Sequence, residues 1–324
     1  MKEIPFSPFS EIELKNILNF DPVEKLGQNF LIDPDMVQKV VNSTIIGADV
    51  VEIGCGPGNI TKGIAKRASS VIGLEIFPNF YESQQTILEG CENIEIINQN
   101  ALKFNFNKWI NSDREARHQV IGNIPFHISE PLLTKLAMVS DNIENIILLV
   151  GDNLASIMTS TNPYDDHFSR LSFISSIFDI NRTAHVPKNH FWPQPRTDAD
   201  IISLASKEYP DSGSMSSLQL RKKIVLSQAE NLTIIKILNN FSTGSEKEIS
   251  HRYDRRQIKN ELKKAVYELN SMPVNRREIS SNSRIGKMGS LASRIELPKE
   301  ILSKPFSQLN NEEVRQLAIA IDRL

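Results

Sequence analysis

Asp49-Val-Val-Glu-Ile-Gly-Cys-Gly-Pro-Gly58 is the stretch on which the reading of the whole chain turns. The β-branched run up to Ile53 has the form of a buried strand, and three alternating glycines follow it before a helical pattern from Asn59 to Ala68. A glycine-rich strand-to-helix turn at the carboxyl edge of a parallel sheet is where such folds bind nucleotides. Glycine there lets the backbone approach a ligand with no Cβ in the way. The spacing is Gly-x-Gly-x-Gly, one residue shorter than the dinucleotide form, and the Gly-Lys-Ser/Thr of a P-loop is missing. Taken alone, the turn also suits a sheet that binds nothing.

Working outward, short apolar runs alternate with helical patterns. Asp33-Pro34 reads as a helix start, an acceptor for free N–H groups followed by a residue that needs no donor, with Met36, Val37, Val40 and Val41 at helical spacing. Val71 to Leu74, Ile94 to Ile97, Gln119 to Ile121 and Ile146 to Val150 read as strands. Phe80 to Leu88 and Pro131 to Met138 read as helices. Strands separated by helices require crossover connections, so the chain is expected to form a doubly wound, Rossmann-like α/β sheet covered on both faces. A linker near Glu208 to Ser214 gives three expected parts: a lead-in over 1–20, the α/β domain over 21–205, and a smaller helical domain over 206–324. Two helical stripes mark that last part, Ile258-Leu262-Ala265-Val266-Leu269 and Val314-Leu317-Ala318-Ile321-Leu324.

Of the 324 residues, 40% are hydrophobic and 23% charged, an ordinary globular balance with no apolar run long enough to span a bilayer. Met1 to Phe9 lacks the basic and apolar regions of a secretory signal. Two cysteines, Cys55 and Cys91, make neither a disulfide framework nor a zinc site, so a reducing, cytoplasmic setting without metal is expected. The net charge is −2, but residues 1–180 hold 13 Lys and Arg against 23 Asp and Glu, whereas 181–296 hold 20 against 12. The basic half is densest at Arg221-Lys222-Lys223, Arg255-Arg256, Lys263-Lys264 and Arg276-Arg277. Such clusters serve equally as a track for a phosphate backbone or as solvated helix faces.

Four further stretches carry chemistry. Glu75 ends the second strand about twenty residues after Gly54, where a carboxylate accepts from both hydroxyls of a ribose. Asn98-Gln-Asn100 follows the third strand and offers polar side chains to an adenine. Asn123-Ile124-Pro125-Phe126 follows the fourth strand and fits a specific problem. An exocyclic adenine amine is a poor nucleophile because its lone pair is delocalised into the ring. The Asn123 side-chain oxygen and the Ile124 carbonyl are a pair of acceptors that favour the pyramidal amine; Pro125 brings no competing N–H, and Phe126 gives the base a face to stack on. Lys25-Leu-Gly-Gln28-Asn29-Phe-Leu31 supplies polar residues to close over a cofactor, or anchors a loop. Phe191-Trp-Pro-Gln-Pro195 supplies aromatics on a stiff backbone, a second wall for an unpaired base.

In this order, Leu26-Gly-Gln-Asn-Phe-Leu31, Glu52-Ile-Gly-Cys-Gly-Pro-Gly58, Glu75, Asn123-Ile-Pro-Phe126 and Phe191-Trp-Pro-Gln-Pro195 resemble the ribosomal RNA adenine dimethyltransferases over about residues 20–205. That family includes small-subunit rRNA dimethyltransferases, erythromycin-resistance methyltransferases of large-subunit rRNA, and mitochondrial transcription factor B proteins. The resemblance implies S-adenosyl-L-methionine as cofactor, held by Gln28, Asn29, Leu31, Glu52, Gly54, Gly56, Gly58, Glu75, Asn100 and Asn123. It implies that Asn123, Ile124, Pro125 and Phe126 grip the adenine and that Phe191 faces it. It implies two methylations of N6, rRNA within a ribosomal subunit or its precursor as partner, a monomer, no membrane association, and a helical C-terminal domain that helps hold the RNA. The chain departs from the family at Asn100, usually Asp, at Phe126, usually Tyr, at Val150-Gly-Asp-Asn153 and at Arg196-Thr-Asp-Ala-Asp200. A resistance-type enzyme of large-subunit rRNA and a non-catalytic RNA-binding factor are the alternatives.

Overall fold

The apolar run Asp49–Ile53 is an inner strand of a seven-stranded sheet in a computed structural model that describes residues 7–23, 27–125, 128–160, 162–165, 168–207, 217–227, 232–242, 295 and 297–323. The strands are β1 (Phe30–Leu31), β2 (Asp49–Ile53), β3 (Ser70–Glu75), β4 (Ile94–Asn98), β5 (His118–Asn123), β6 (Asn145–Gly151), β7 (Phe178–Val186), β8 (Phe191–Trp192) and β9 (Ala199–Ser206). The helices are α1 (Glu11–Ile17), α2 (Pro34–Asn42), α3 (Thr61–Ala65), α4 (Tyr81–Ile87), α5 (Phe106–Ile110), α6 (Ser129–Ala137), α7 (Asp152–Thr159), α8 (Arg170–Ser175), α9 (Ser217–Leu226), α10 (Ile234–Ser242), α11 (Lys299–Leu302) and α12 (Asn311–Asp322).

The main sheet runs β4-β3-β2-β5-β6-β9-β7. The block from β4 to β6 is parallel, and β9 and β7 extend it antiparallel. From β2 the chain winds outward through β3 to β4, then returns to place β5 on the other side of β2. That reversal opens a crevice beyond the carboxyl ends of β2 and β5, where open α/β sheets bind ligands. Val50, Val71, Ile121, Ile147 and Leu149 point to one face and pack against Val37, Val40 and Val41 of α2 and Ile64 of α3. Asp33 caps α2 by accepting from the Met36 N–H at 2.9 Å, with Pro34 at the first helical position. The doubly wound α/β expectation holds.

β7 was not among the expected strands. Its burial alternates poorly because it is an edge strand with solvent along most of one side. A separate two-stranded ladder pairs β1 with β8, matching Phe30 to Trp192 and Leu31 to Phe191.

Two compact units divide the chain, Met1–Ile234 with Leu297–Leu324, and Ile235–Glu296. Within the first, α12 packs on α8 and α9, burying Val314, Leu317, Ala318 and Ile321, the stripe expected from their spacing. Arg221 is 5% exposed and pairs with Asp322 at 2.7 Å; Lys222 is 4% exposed and pairs with Asp141. These two cations therefore hold helices together and are not a surface track for phosphates. The stripe from Ile258 to Leu269 and the clusters at 255–256, 263–264 and 276–277 lie outside the described residues. Among the described residues no helix is long and apolar enough to cross a membrane, and no three His, Cys, Asp or Glu are grouped to hold a metal.

Candidate active site

Positive φ at Gly54 (71°) and Gly56 (53°) turns the chain out of β2 and into the crevice, a conformation that disfavours any side chain. A Cβ on Gly56 would press the Phe30 ring at 3.2 Å. The Gly56 peptide is gripped at both ends. Its N–H donates to Glu75 Oε2 at 2.9 Å, and its carbonyl accepts from Gln84 Nε2 on α4 at 2.7 Å. The other oxygen of Glu75 accepts from the Phe77 N–H at 2.9 Å. Burial pushes the Glu75 carboxyl up, and these backbone donors pull it back. Glu75 is thus a fixed carboxylate at the tip of β3, and each of its oxygens keeps a lone pair for a further donor.

Beside the turn lies a cleft of about 200 Å³, lined by Gln28, Asn29, Gly54, Gly56, Glu75, Asn100 and Asn123, with Pro125, Ile128 and Phe80 among its apolar walls. Motifs separated by almost a hundred positions therefore meet in one space. Asn123, at the end of β5, donates through Nδ2 to the Asn29 carbonyl at 2.9 Å. This orients the amide and leaves Oδ1 as an acceptor. Pro125 packs beneath the segment that begins at Gly27: a Cβ on Gly27 would come to 2.9 Å from Pro125 Cγ, and Gly27 has φ +75°. Asn100 lines the cleft while its Oδ1 caps the Leu102 N–H at 2.8 Å, so it serves the turn as well. The cleft suits a cofactor with a ribose and a cationic end, because a ribose acceptor stands at Glu75 and the buried Asn29 Oδ1 has no donor.

The remaining expected residues serve the walls and the core around the cleft. Gln28 lines it, but its Oε1 accepts from the Val23 N–H at 2.7 Å and so anchors the loop. Leu31 is in the core, and its carbonyl accepts from Asn59 Nδ2 at 2.8 Å. Gly58 faces Leu88, whose Cδ2 would lie 2.8 Å from an added Cβ. Glu52 points to the α2 side of the sheet, where burial pushes its carboxyl up to about 7. Phe191 is 5% exposed and packs among Leu31, Val186 and Ala199. Alternation along the two-residue strand β8 turns its ring inward, not toward the cleft. Ile124 is buried with its N–H donating to the Leu149 carbonyl at 3.2 Å. Phe126 lies outside the described residues.

Sequence reading missed Gln84 and Asn59. Besides its bond to Leu31, Asn59 accepts from the Phe9 N–H at 2.7 Å, tying the lead-in to the glycine turn. Both are polar residues on elements where polarity is unremarkable, and only their burial gives them away. A larger groove of about 740 Å³ opens on the far side of Glu75 between α4 and β4, but neither the glycine turn nor Asn123 lines it. The expected site residues gather at the smaller cleft.

Comparison with known proteins agrees with this geometry. Residues 20–272 match the family model of ribosomal RNA adenine dimethylases. The ribosomal RNA small subunit methyltransferase A of Mycoplasmopsis synoviae is 30% identical over 234 residues, covering 68% of this chain and 88% of that protein. Its counterpart in Geobacillus thermodenitrificans is 26% identical over 231 residues, covering 69% and 78%. The crystal structure of a dimethyladenosine transferase from Plasmodium falciparum superposes with a TM-score of 0.51 at 20% identity, covering 90% of this chain and 95% of that one, a likeness of fold. With the glycine turn, its carboxylate and the β5 asparagine converging on one cleft, the chain is a member of the ribosomal RNA adenine dimethylase family, enzymes that methylate adenine N6 in rRNA with S-adenosylmethionine.

Proposed function

We propose that this chain dimethylates adenines near the 3′ end of small-subunit rRNA, taking the RNA within a ribosomal subunit or its precursor and acting as a cytoplasmic monomer. The observation that carries the reading is the Asn123 amide, anchored to Asn29 at the carboxyl end of β5 beside the glycine turn of β2. S-adenosylmethionine supplies an electrophilic methyl group on a sulfonium. Gly54 and Gly56 leave room for it, Glu75 accepts from its ribose, and Asn100 stands by its adenine. Asn123 Oδ1 and the Ile124 carbonyl accept from the hydrogens of the target amine and favour its pyramidal form; Pro125 adds no donor to compete with them. The proton leaves readily once the nitrogen is cationic, so placed acceptors matter more than a strong base. Phe126 is assigned the stacking of the base, and Phe191 the support of the wall behind β1. The region from 206 onward, through its clusters at 255–256, 263–264 and 276–277, is assigned to RNA contact.

Transfer of tritiated methyl groups to 30S particles, 50S particles and naked rRNA tests the reading. Label in adenines of 30S particles is the expected result. Label confined to 50S particles identifies a resistance-type enzyme, and no label in any of the three identifies a binding factor.

A further inference from the structure

Glu52 is a buried acid that the cofactor cleft does not use. It sits on β2 one residue before Ile53, is 4% exposed, and its Oε2 is buried without a hydrogen-bond partner. Across the β2–β5 ladder Glu52 pairs with Ile121, which makes Asn123 the next residue of β5 on the same face. Diagonal neighbours of this kind stand too far apart for direct contact between short side chains. Beside both lies a small space of about 10 Å³, lined by Val40, Ile60, Ile121, Ile147 and Leu149 together with Glu52 and Asn123. A space of that size takes one water, provided polar groups hold it. Burial raises the Glu52 carboxyl, the Thr61 hydroxyl near it works against the rise, and the Glu75 charge adds to it.

We propose that Glu52 is a positioning residue for Asn123, joined to it by a single water in this space. One hydrogen of Asn123 Nδ2 goes to the Asn29 carbonyl. The second donates to the water, and the water donates to Glu52 Oε2, which accepts whether or not the carboxyl is protonated. With both amide hydrogens engaged on this side, the Asn123 amide cannot rotate by half a turn without setting its oxygen against the Asn29 carbonyl. Oδ1 is thereby locked toward the target amine. The acid of the first strand thus acts on the reaction through the asparagine of the fourth strand of the parallel block, without touching the reacting atoms.

This rests on Asn123 accepting from that amine, and Glu52→Met and Glu52→Gln in the full chain test it. Three readouts are taken: kcat for methyl transfer, cofactor Kd by calorimetry, and the nitrogen-15 side-chain amide signals of Asn123. Methionine fills the volume but holds no water, so kcat should fall about tenfold while cofactor Kd changes by less than about twofold and the Asn123 pair shifts. Glutamine still accepts from the water and should keep kcat within about threefold, which also serves as the control for folding. Unchanged kcat and an unmoved Asn123 signal in Glu52→Met overturn the proposal. So does a rise in cofactor Kd in both variants with kcat intact, which would make Glu52 a cofactor contact. A wild-type chain that labels no RNA sinks the activity reading instead, and the Asn123 signals still decide whether the water link exists.

Discussion

The side chain of Asn123 donates to the main-chain carbonyl of Asn29 at 2.9 Å, joining the end of β5 to the segment that closes the cleft. Its oxygen is then available to a substrate amine. Replacing Asn123 with alanine should lower methyl transfer by about 10²–10³-fold, the cost of losing one preorganised polar partner of a transition state. Thermal unfolding should change little, and cofactor Kd by calorimetry should rise far less than transfer falls. Near-normal transfer by Asn123→Ala would remove the acceptor role.

Gln84 offers a test of the turn itself. Its Nε2 holds the Gly56 carbonyl at 2.7 Å in a buried setting. Gln84→Ala leaves that carbonyl unpaired and lets the loop shift, so cofactor Kd should rise by about tenfold with kcat at saturation much less affected. Equal affinity of variant and wild type would show that the loop holds its shape without α4.

Glu75→Gln keeps the size of the side chain but replaces one acceptor oxygen by a donor. Both backbone N–H groups at Gly56 and Phe77 point at these two positions, so one of them would face an NH₂ group. Affinity for the cofactor should fall by about tenfold or more, read by calorimetry, and the loss should appear in KM before kcat. An unchanged KM would take the ribose contact away from Glu75.

Stability should depend on pH through Glu52, whose carboxyl rises from an ordinary 4.5 to about 7. The folded chain binds that proton more tightly than the unfolded chain. Its contribution to stability is therefore complete below the unfolded value and is lost as pH rises through the folded one. Glu52→Gln removes this dependence: it should exceed the wild type by about 3 kcal/mol at alkaline pH, and the difference should vanish at acid pH. Urea unfolding at about pH 4 and about pH 8 measures both, and an equal gap at the two pH values would refute the assignment.

Two sets of basic residues are expected to give opposite signatures. Arg221 is buried against Asp322, so Arg221→Gln should cost about 3 kcal/mol of folding stability while the salt dependence of RNA binding stays the same. Arg255→Glu with Arg256→Glu should instead weaken RNA binding and flatten its salt dependence with little change in melting temperature. Filter binding across a salt series separates them; a flattened slope in Arg221→Gln would show that this cation faces the nucleic acid after all.

Much of the frame was legible because it rests on local pattern. The β2 strand was expected over Asp49–Ile53 and is found there, since its apolar run is bounded by a turn signal that nothing else competes with. The helix expected from Asn59 to Ala68 is shorter, Thr61–Ala65. Asn59 is held out of it by its bonds to Phe9 and Leu31, partners far away in the chain. The same limit applies at the site. Glycines, an acid at a strand end and an asparagine before proline announce themselves by type and spacing. Whether Arg221 faces solvent, whether Phe191 turns inward, and whether Glu52 shares a space with Asn123 depend on packing between distant segments, which no window of sequence contains.

The short ladder of β1 and β8 carries a consequence for how the enzyme can evolve. Phe30 lines the cofactor cleft and Leu31 packs in the core behind it, while Phe191 and Trp192 begin the proline-rich motif, and the two pairs are zipped residue for residue. A substitution on either strand is felt on both, because the two segments share one ladder and one packed corner. Divergence at this corner has to proceed by paired changes.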